Sequence, residues 1–138
     1  MLEKPAPRPL DIALHFTPDL CGVSHIPAKA DLPVLAGGYA PYEMLISALG
    51  ACFFHTFQEL ADKMNLSYDH LDLQIHAERK ADPPQTLRSV QMDVKIYGAK
   101  APREKFERAM ELTEKYCSVR ATVAKVASVE SRLSYEDA

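Results

Sequence analysis

Apolar and polar residues alternate along some stretches of the chain and follow a helical period along others. Alternation is typical of half-buried strands, and a period near 3.6 residues is typical of helices. The first kind of stretch predicts strands over residues 10–16, 20–26, 31–35, 68–80, 88–97 and 126–135. The second predicts helices over residues 40–65, 102–116 and 118–123. This order of elements predicts an α+β fold with antiparallel sheet.

The longest predicted helix is the most apolar part of the chain. Pro41 suits its first turn, and Glu43 in that turn complements the helix dipole. Residues 44–57 carry no charged side chain, and their apolar residues fall on every side of the helical wheel. That pattern is typical of a buried helix, and the run is too short to predict a membrane span. Because one small sheet would not cover such a helix, we expect a homodimer that buries it.

Length, charge and composition narrow the class of protein. A chain of 138 residues with 47% hydrophobic and 25% charged residues is typical of one soluble globular domain, here residues 1–138 with a loose segment over 1–9. The net charge of −3 and the lack of a basic cluster argue against a nucleic-acid partner. The start of the chain lacks the apolar core of a signal peptide, so we expect a cytoplasmic protein without a membrane partner.

Three cysteines without a C-x-x-C pair argue against a disulfide framework and against a zinc ribbon. Cys52 lies inside the apolar helix, where a lone cysteine is most often a small buried hydrophobe. Cys117 follows the buried face of the second helix and has the same simple interpretation. A reactive thiolate at either position would need a cation or a hydrogen-bond donor nearby. Cys21 lies in the first hairpin and is interpreted as a small strand residue.

Two short segments resemble the motifs of a known family. The run over 40–52, with Pro41 eleven residues before Cys52, resembles the signature of the OsmC/Ohr proteins, the osmotically inducible and organic hydroperoxide resistance proteins. The family's second motif, Cys-Pro-Val-Ser, is matched by Cys117-Ser118-Val119-Arg120. The resemblance implies an OsmC-like α+β fold, in which antiparallel sheets wrap around a long buried central helix. It also implies an intertwined homodimer.

The same resemblance implies a thiol-dependent peroxidase that reduces organic hydroperoxides, and hydrogen peroxide as well, in oxidative stress defence. Cys52 would be the peroxidatic cysteine, and its sulfenic acid would condense with Cys117, the resolving cysteine. An external dithiol would reduce the disulfide, and no metal or other cofactor is implied. Tyr42, Phe53 and His55 are the candidate substrate-pocket residues.

The chain departs from the family pattern around the expected thiolate. Hydroperoxide-resistance members use an arginine in the first hairpin, and this chain has no arginine between Arg8 and Arg79. They also place a glutamate directly after the proline, whereas here Glu43 comes one residue later. Arg120 stands at the family's serine position, and our hypothesis is that it supplies the missing cation. Glu43 and Arg120 are therefore the candidate residues of the thiolate environment.

Two alternative functions fit the same residues. The first is a non-catalytic OsmC-fold protein that binds a small apolar ligand, with both cysteines structural. The second is a thioesterase-like enzyme, which would use Glu43 as its helix carboxylate. Retained function in a Cys52→Ser variant would favour either alternative over a peroxidase.

Overall fold

A computed structural model describes residues 5–137, and the predicted elements occur there in the predicted order. The strands are β1 (Ala13–Phe16), β2 (Cys21–His25), β3 (Leu32–Leu35), β4 (His70–Arg79), β5 (Leu87–Tyr97) and β6 (Ser128–Glu136). The helices are α1 (Pro41–Lys63), α2 (Arg103–Tyr116) and α3 (Ser118–Val123). Of the segment predicted to be loose, residues 5–9 form no helix or strand, and residues 1–4 lie outside the described residues.

The chain divides into two compact units, Met1–Ser47 and Ala48–Ala138. The boundary falls within α1, so the first turns of this helix belong to the first unit and the remainder to the second. The prediction of a single domain therefore stays a prediction. Each unit is described by itself below.

The first unit contains an antiparallel three-stranded sheet in the order β1-β2-β3. Gly22 of β2 pairs with Phe16 on one side and Val34 on the other. A Cβ atom at Gly22 would lie 2.5 Å from Cδ1 of Phe16 and 2.8 Å from Cγ2 of Val34. The ring of Phe16 therefore requires a glycine at this position of the sheet. Large apolar side chains of this unit remain exposed, among them Leu10, Ile12, Leu14 and Phe16.

The second unit contains the other sheet, in the order β4-β5-β6. β4 pairs antiparallel with β5, as predicted, whereas β6 pairs parallel with β5. The prediction of purely antiparallel sheet was wrong for this pair. The physical reason lies between the two strands, because α2 and α3 carry the chain back along the sheet, as a parallel connection requires.

The core of the second unit lies on one face of this sheet. On β5 it contains the four residues that alternation predicts, Val90, Met92, Val94 and Ile96, and also Leu87, each at most 2% exposed. The predicted face of α2 is also buried, with Phe106, Ala109, Met110 and Thr113. From α1 the core receives Leu49, Phe53, Phe57, Leu60 and Ala61. The buried faces of β5 and α2 are therefore those that the periodicity of the sequence predicts.

Gly50 lets α1 approach the sheet of this unit closely. A Cβ atom there would lie 3.2 Å from the side-chain ends of both Leu73 and Ile75 on β4. The small residue that interrupts the apolar run thus has a packing reason. Only about a third of the most apolar window of α1 is buried, and Leu45 and Phe54 are exposed. By length and composition alone, α1 is long and apolar enough to cross a membrane. The core helix of a soluble protein can meet the same two criteria.

Candidate active site

Cys52 lies in the middle of α1 and is half-buried. Its Sγ atom is 3.7 Å from the hydroxyl oxygen of Ser118, the first residue of α3. That distance is within the range of a hydrogen bond to sulfur, and either atom can be the donor. Cys52 on α1 is thus in contact with Ser118, which lies 66 positions later in the sequence.

The start of α3 presents hydrogen-bond donors to the Cys52 sulfur. Cys117 has extended backbone angles, φ −69° and ψ 114°, and separates the end of α2 from the start of α3. Backbone N–H groups in the first turn of a helix have no partner within the helix. Those of Val119 and Ser118 instead donate to Cys52. The break between the two helices therefore supplies these donors.

The pKa of Cys52 is lowered from its ordinary value. Partial burial on its own acts in the opposite direction, because it disfavours the charged thiolate. Hydrogen bonds from the Val119 N–H, the Cys117 thiol and the Ser118 hydroxyl and N–H outweigh that effect. The result is a partly exposed thiol that ionises more readily than a free cysteine.

Cys117 has the opposite environment. Its side chain is fully buried, and burial raises the pKa of its thiol to about 11. The interaction with Cys52 raises the pKa of Cys117 further, because a thiol that donates to a neighbouring sulfur holds its proton. The site therefore pairs an accessible, acidic thiol with a buried, protonated one.

The family model of the OsmC-like proteins matches residues 35–132, which include both cysteines. The chain belongs to the OsmC-like family. The sequence thus joins a family to which its two motifs already pointed. A comparison with curated proteins gave no match.

Solved structures share the fold of this OsmC-like chain. An OsmC-like protein from Mycoplasma pneumoniae has a TM-score of 0.84 at 17% identity, over 94% of this chain and 99% of that one. An organic hydroperoxide resistance protein OsmC from Legionella pneumophila has a TM-score of 0.69 at 13% identity, with 94% and 99% covered. The organic hydroperoxide resistance protein OhrB of Bacillus subtilis has a TM-score of 0.62 at 13% identity, with 90% and 98% covered. At such identities the likeness shows the fold alone.

Arg120, a candidate for the thiolate environment, binds backbone carbonyl groups in this OsmC-like chain. Its guanidinium donates to the carbonyl oxygen of Glu114 at 3.2 Å and to that of Val129 at 3.0 Å. These bonds connect the end of α2 with β6. The donors that lower the pKa of Cys52 most are uncharged groups of Val119, Cys117 and Ser118. The cationic role of Arg120 stays a hypothesis.

Glu43 and Tyr42 lie in the first turn of α1, in the first unit. A carboxylate oxygen of Glu43 accepts the backbone N–H of Ala40 at 2.8 Å. This contact is one half of a capping box, in which a glutamate in the first turn binds the N–H that precedes the helix. Glu43 therefore has a structural task at the helix start. Tyr42 is half-buried, and its assignment to a substrate pocket stays a prediction.

The other two candidate pocket residues have different surroundings. Phe53 is buried in the core, at 2% exposure. His55 is exposed, and its Nδ1 lies 3.2 Å from a carboxylate oxygen of Glu59, one helical turn further along α1. The structure thus places Phe53 in the core and His55 in a surface pair. Their roles toward a substrate stay predictions.

Cys21 is an exposed, free cysteine of β2, which agrees with its interpretation as a strand residue. Over residues 5–137 we found no group of three or more His, Cys, Asp or Glu side chains that could hold a metal ion.

The Ser118 hydroxyl and the Val119 N–H are not among the site groups that the sequence predicts. The sequence predicts Ser118 only as the start of a helix over 118–123, and in the structure it is the first residue of α3, with Cys117 as the N-cap. A signal was present, because a serine directly after the second cysteine starts the helix that Cys52 faces. Only the fold shows that this helix start and the middle of α1 meet.

Proposed function

We propose that this OsmC-like protein is a thiol-dependent peroxidase that reduces organic hydroperoxides, and also hydrogen peroxide, in oxidative stress defence. The observation that carries the proposal is the pair of unlike thiols at one place. Cys52 is partly exposed with a lowered pKa, and Cys117 beside it is buried with a pKa near 11. A peroxidatic cysteine needs access and thiolate character, and a resolving cysteine needs only to be near.

In the first step the Cys52 thiolate attacks the terminal oxygen of the hydroperoxide. The sulfur–oxygen bond forms as the oxygen–oxygen bond breaks, and the alkoxide leaves and takes up a proton as an alcohol. Cys52 is then a sulfenic acid, oxidised by two electrons, and the peroxide is reduced by the same two. The donors from α3 hold the sulfur before the attack.

In the second step the Cys117 sulfur attacks the Cys52 sulfur and displaces its hydroxyl group. The thiol proton of Cys117 leaves with that hydroxyl as water, so the products are a disulfide and one water molecule. The Cys117 thiol is among the hydrogen-bonding groups that lower the pKa of Cys52, which supports a direct approach of the two sulfur atoms. An external dithiol then returns both cysteines to thiols and becomes a disulfide itself.

Steady-state consumption of cumene hydroperoxide with excess dithiothreitol tests this function. The wild-type protein should consume many equivalents, with the tert-alkyl alcohol as product, and the Cys52→Ser variant should consume none above the rate of dithiothreitol alone. Cys21→Ser is the matched control and should behave as wild type. Equal rates for wild type and Cys52→Ser would reject the proposal.

The same variants separate the alternatives. A thioesterase that uses Glu43 would hydrolyse an acyl thioester in the Cys52→Ser variant and lose that activity in Glu43→Gln. Since the Glu43 carboxylate caps α1 and a glutamine oxygen can accept the same N–H, we expect Glu43→Gln to fold normally and to have no thioesterase activity to lose. The non-catalytic alternative would leave peroxide untouched by the wild type.

We further propose that the functional form is a homodimer in the cytoplasm, where reducing dithiols are available. Support for the dimer comes from the exposed apolar side chains of the first unit, with Leu10 at 87% and Leu20 at 67% exposure. A monomeric soluble protein rarely leaves a large contiguous apolar surface uncovered. Light scattering at micromolar concentration should give twice the mass of 15.4 kDa. A single-chain mass would contradict the proposal.

A further inference from the structure

The Ser118 hydroxyl holds a distinct place among the groups around Cys52. Its oxygen lies 3.7 Å from the Cys52 sulfur, at hydrogen-bond distance. It sits on the first residue of α3, directly after the second cysteine. The position is also where the chain departs from the family's Cys-Pro-Val-Ser motif, in which a proline follows the cysteine.

We propose that Ser118 donates its hydroxyl proton in a hydrogen bond to the Cys52 thiolate, and so takes the task that an arginine performs in hydroperoxide-resistance members. The inference rests on the proposed function for its consequence in turnover, but its geometry does not depend on any substrate. Arg120, the nearest alternative in the motif, is bound to the carbonyl groups of Glu114 and Val129.

The α3 segment holds Ser118 in position by contacts on either side. The Thr122 hydroxyl donates to the Ser118 carbonyl oxygen at 3.1 Å, and the Ala121 N–H donates to the Cys117 carbonyl oxygen at 3.0 Å. The backbone of Ser118 is thereby fixed on the first turn of α3. From this backbone position the Ser118 side chain places its hydroxyl oxygen 3.7 Å from the Cys52 sulfur.

A hydroxyl can change its hydrogen-bonding role during the reaction, whereas a guanidinium cannot. Serine can both donate and accept a hydrogen bond, whereas arginine can only donate. Ser118 can therefore donate to the Cys52 thiolate before the attack and accept from the S–OH group afterwards. A neutral donor has a second consequence, because its effect on the thiolate is not screened by salt as that of a charge is.

The test measures the rate of iodoacetamide alkylation at Cys52 as a function of pH, in the reduced full-length protein, with the labelled peptide identified by mass. We expect Ser118→Ala to move the midpoint of this profile up by about one pH unit, which is about a tenfold lower rate below the midpoint. The plateau at high pH should be kept, and Ser118→Thr should restore the midpoint. Ser128→Ala, at an exposed serine of β6, is the matched control.

Other outcomes would overturn the proposal or separate it from the proposed peroxidase function. A Ser118→Ala midpoint equal to that of Ser128→Ala overturns the proposal, as does a lowered plateau that Ser118→Thr does not restore. A wild-type midpoint that rises by half a unit or more between 0.05 and 0.5 M NaCl would indicate a charged partner and would also overturn it. If the midpoint shift is found but the wild type consumes no hydroperoxide, the role of Ser118 stands and the proposed peroxidase function fails.

Discussion

The two cysteines of the site are one residue type in two opposite environments. Cys52, on α1, is half-exposed, and donors from the start of α3 lower its pKa. Cys117, at the junction of α2 and α3, has no exposed surface, and burial raises its pKa to about 11. The residue type alone does not explain the difference. It comes from their surroundings: burial dominates at Cys117, whereas donated hydrogen bonds outweigh the effect of burial at Cys52.

Exchange of each cysteine for serine should give the largest effect. Cys52→Ser should lower peroxide turnover by at least about 10³-fold, because the nucleophile is lost. Cys117→Ser should retain the first turnover, because the Cys52 thiolate is still present, but should accumulate a sulfenic acid. Stopped-flow consumption of one equivalent of hydroperoxide distinguishes the two. Equal loss of the first turnover in both variants would remove the distinction between peroxidatic and resolving roles.

Alkylation of the folded, reduced protein compares the reactivity of Cys52 and Cys117 directly. At pH 7 we expect Cys52 to react at least about 100-fold faster than Cys117, since a pKa raised by two units alone lowers the thiolate fraction about 100-fold. Peptide mapping after timed exposure to iodoacetamide measures both rates. Equal rates in the native state, with both thiols equally reactive in urea, would show that the environments do not differ.

Substitution of Arg120 should have a smaller effect, and this effect should be on the free energy of unfolding. Loss of its bonds to the Glu114 and Val129 carbonyls in Arg120→Met should reduce the free energy of unfolding by about 1–3 kcal/mol. Arg120→Lys keeps the charge but not the fork that reaches two carbonyl groups. Urea denaturation should therefore show both variants destabilised. If Arg120→Lys keeps the Cys52 alkylation profile and Arg120→Met does not, the cationic role holds instead.

The smallest expected effect is a dependence of stability on pH. The raised pKa of Cys117 means that the folded state holds this proton more tightly than the unfolded state. The stabilisation is complete below the ordinary value near 9.0 and is lost as pH rises toward 11. In a Cys52→Ser background, we expect stability to fall by about 2 kcal/mol or less over that range.

Removal of Cys117 isolates this contribution. A second variant, with Cys117→Ala in the same background, should not show the loss of stability that Cys117 causes over this pH range. Tyr68 and Tyr135, whose pKa values are also raised by burial, are present in both proteins and cancel in the difference. Parallel curves of unfolding free energy against pH for the two variants would mean that Cys117 is not held protonated by the fold.

Most elements were predictable from periodicity because burial on one face leaves a direct pattern in the sequence. The alternating residues of β5 and the helical stripe of α2 are the core in the structure. The parallel pairing of β6 with β5 was missed. An alternating strand carries the same pattern whichever way its neighbour runs, so direction had to be read from the two helices that precede β6.

The site was predictable only as far as its two cysteines. Their positions followed from a motif resemblance, but the donors to Cys52 did not. The Val119 N–H has no side-chain signature, and the Ser118 hydroxyl acts across 66 positions of sequence. Arg120 was proposed as the cation beside the Cys52 thiolate, whereas in the structure its guanidinium donates hydrogen bonds to two carbonyl groups. Such contacts depend on the tertiary fold, which no local pattern encodes.

The most direct test of the account is the intact mass and thiol count of the fully reduced protein before and after one equivalent of cumene hydroperoxide. The protein should lose two hydrogen atoms and two thiols, with peptide digestion mapping a Cys52–Cys117 link within one chain. An unchanged mass, together with a Cys52 thiol that does not react with iodoacetamide in the folded state, would contradict it.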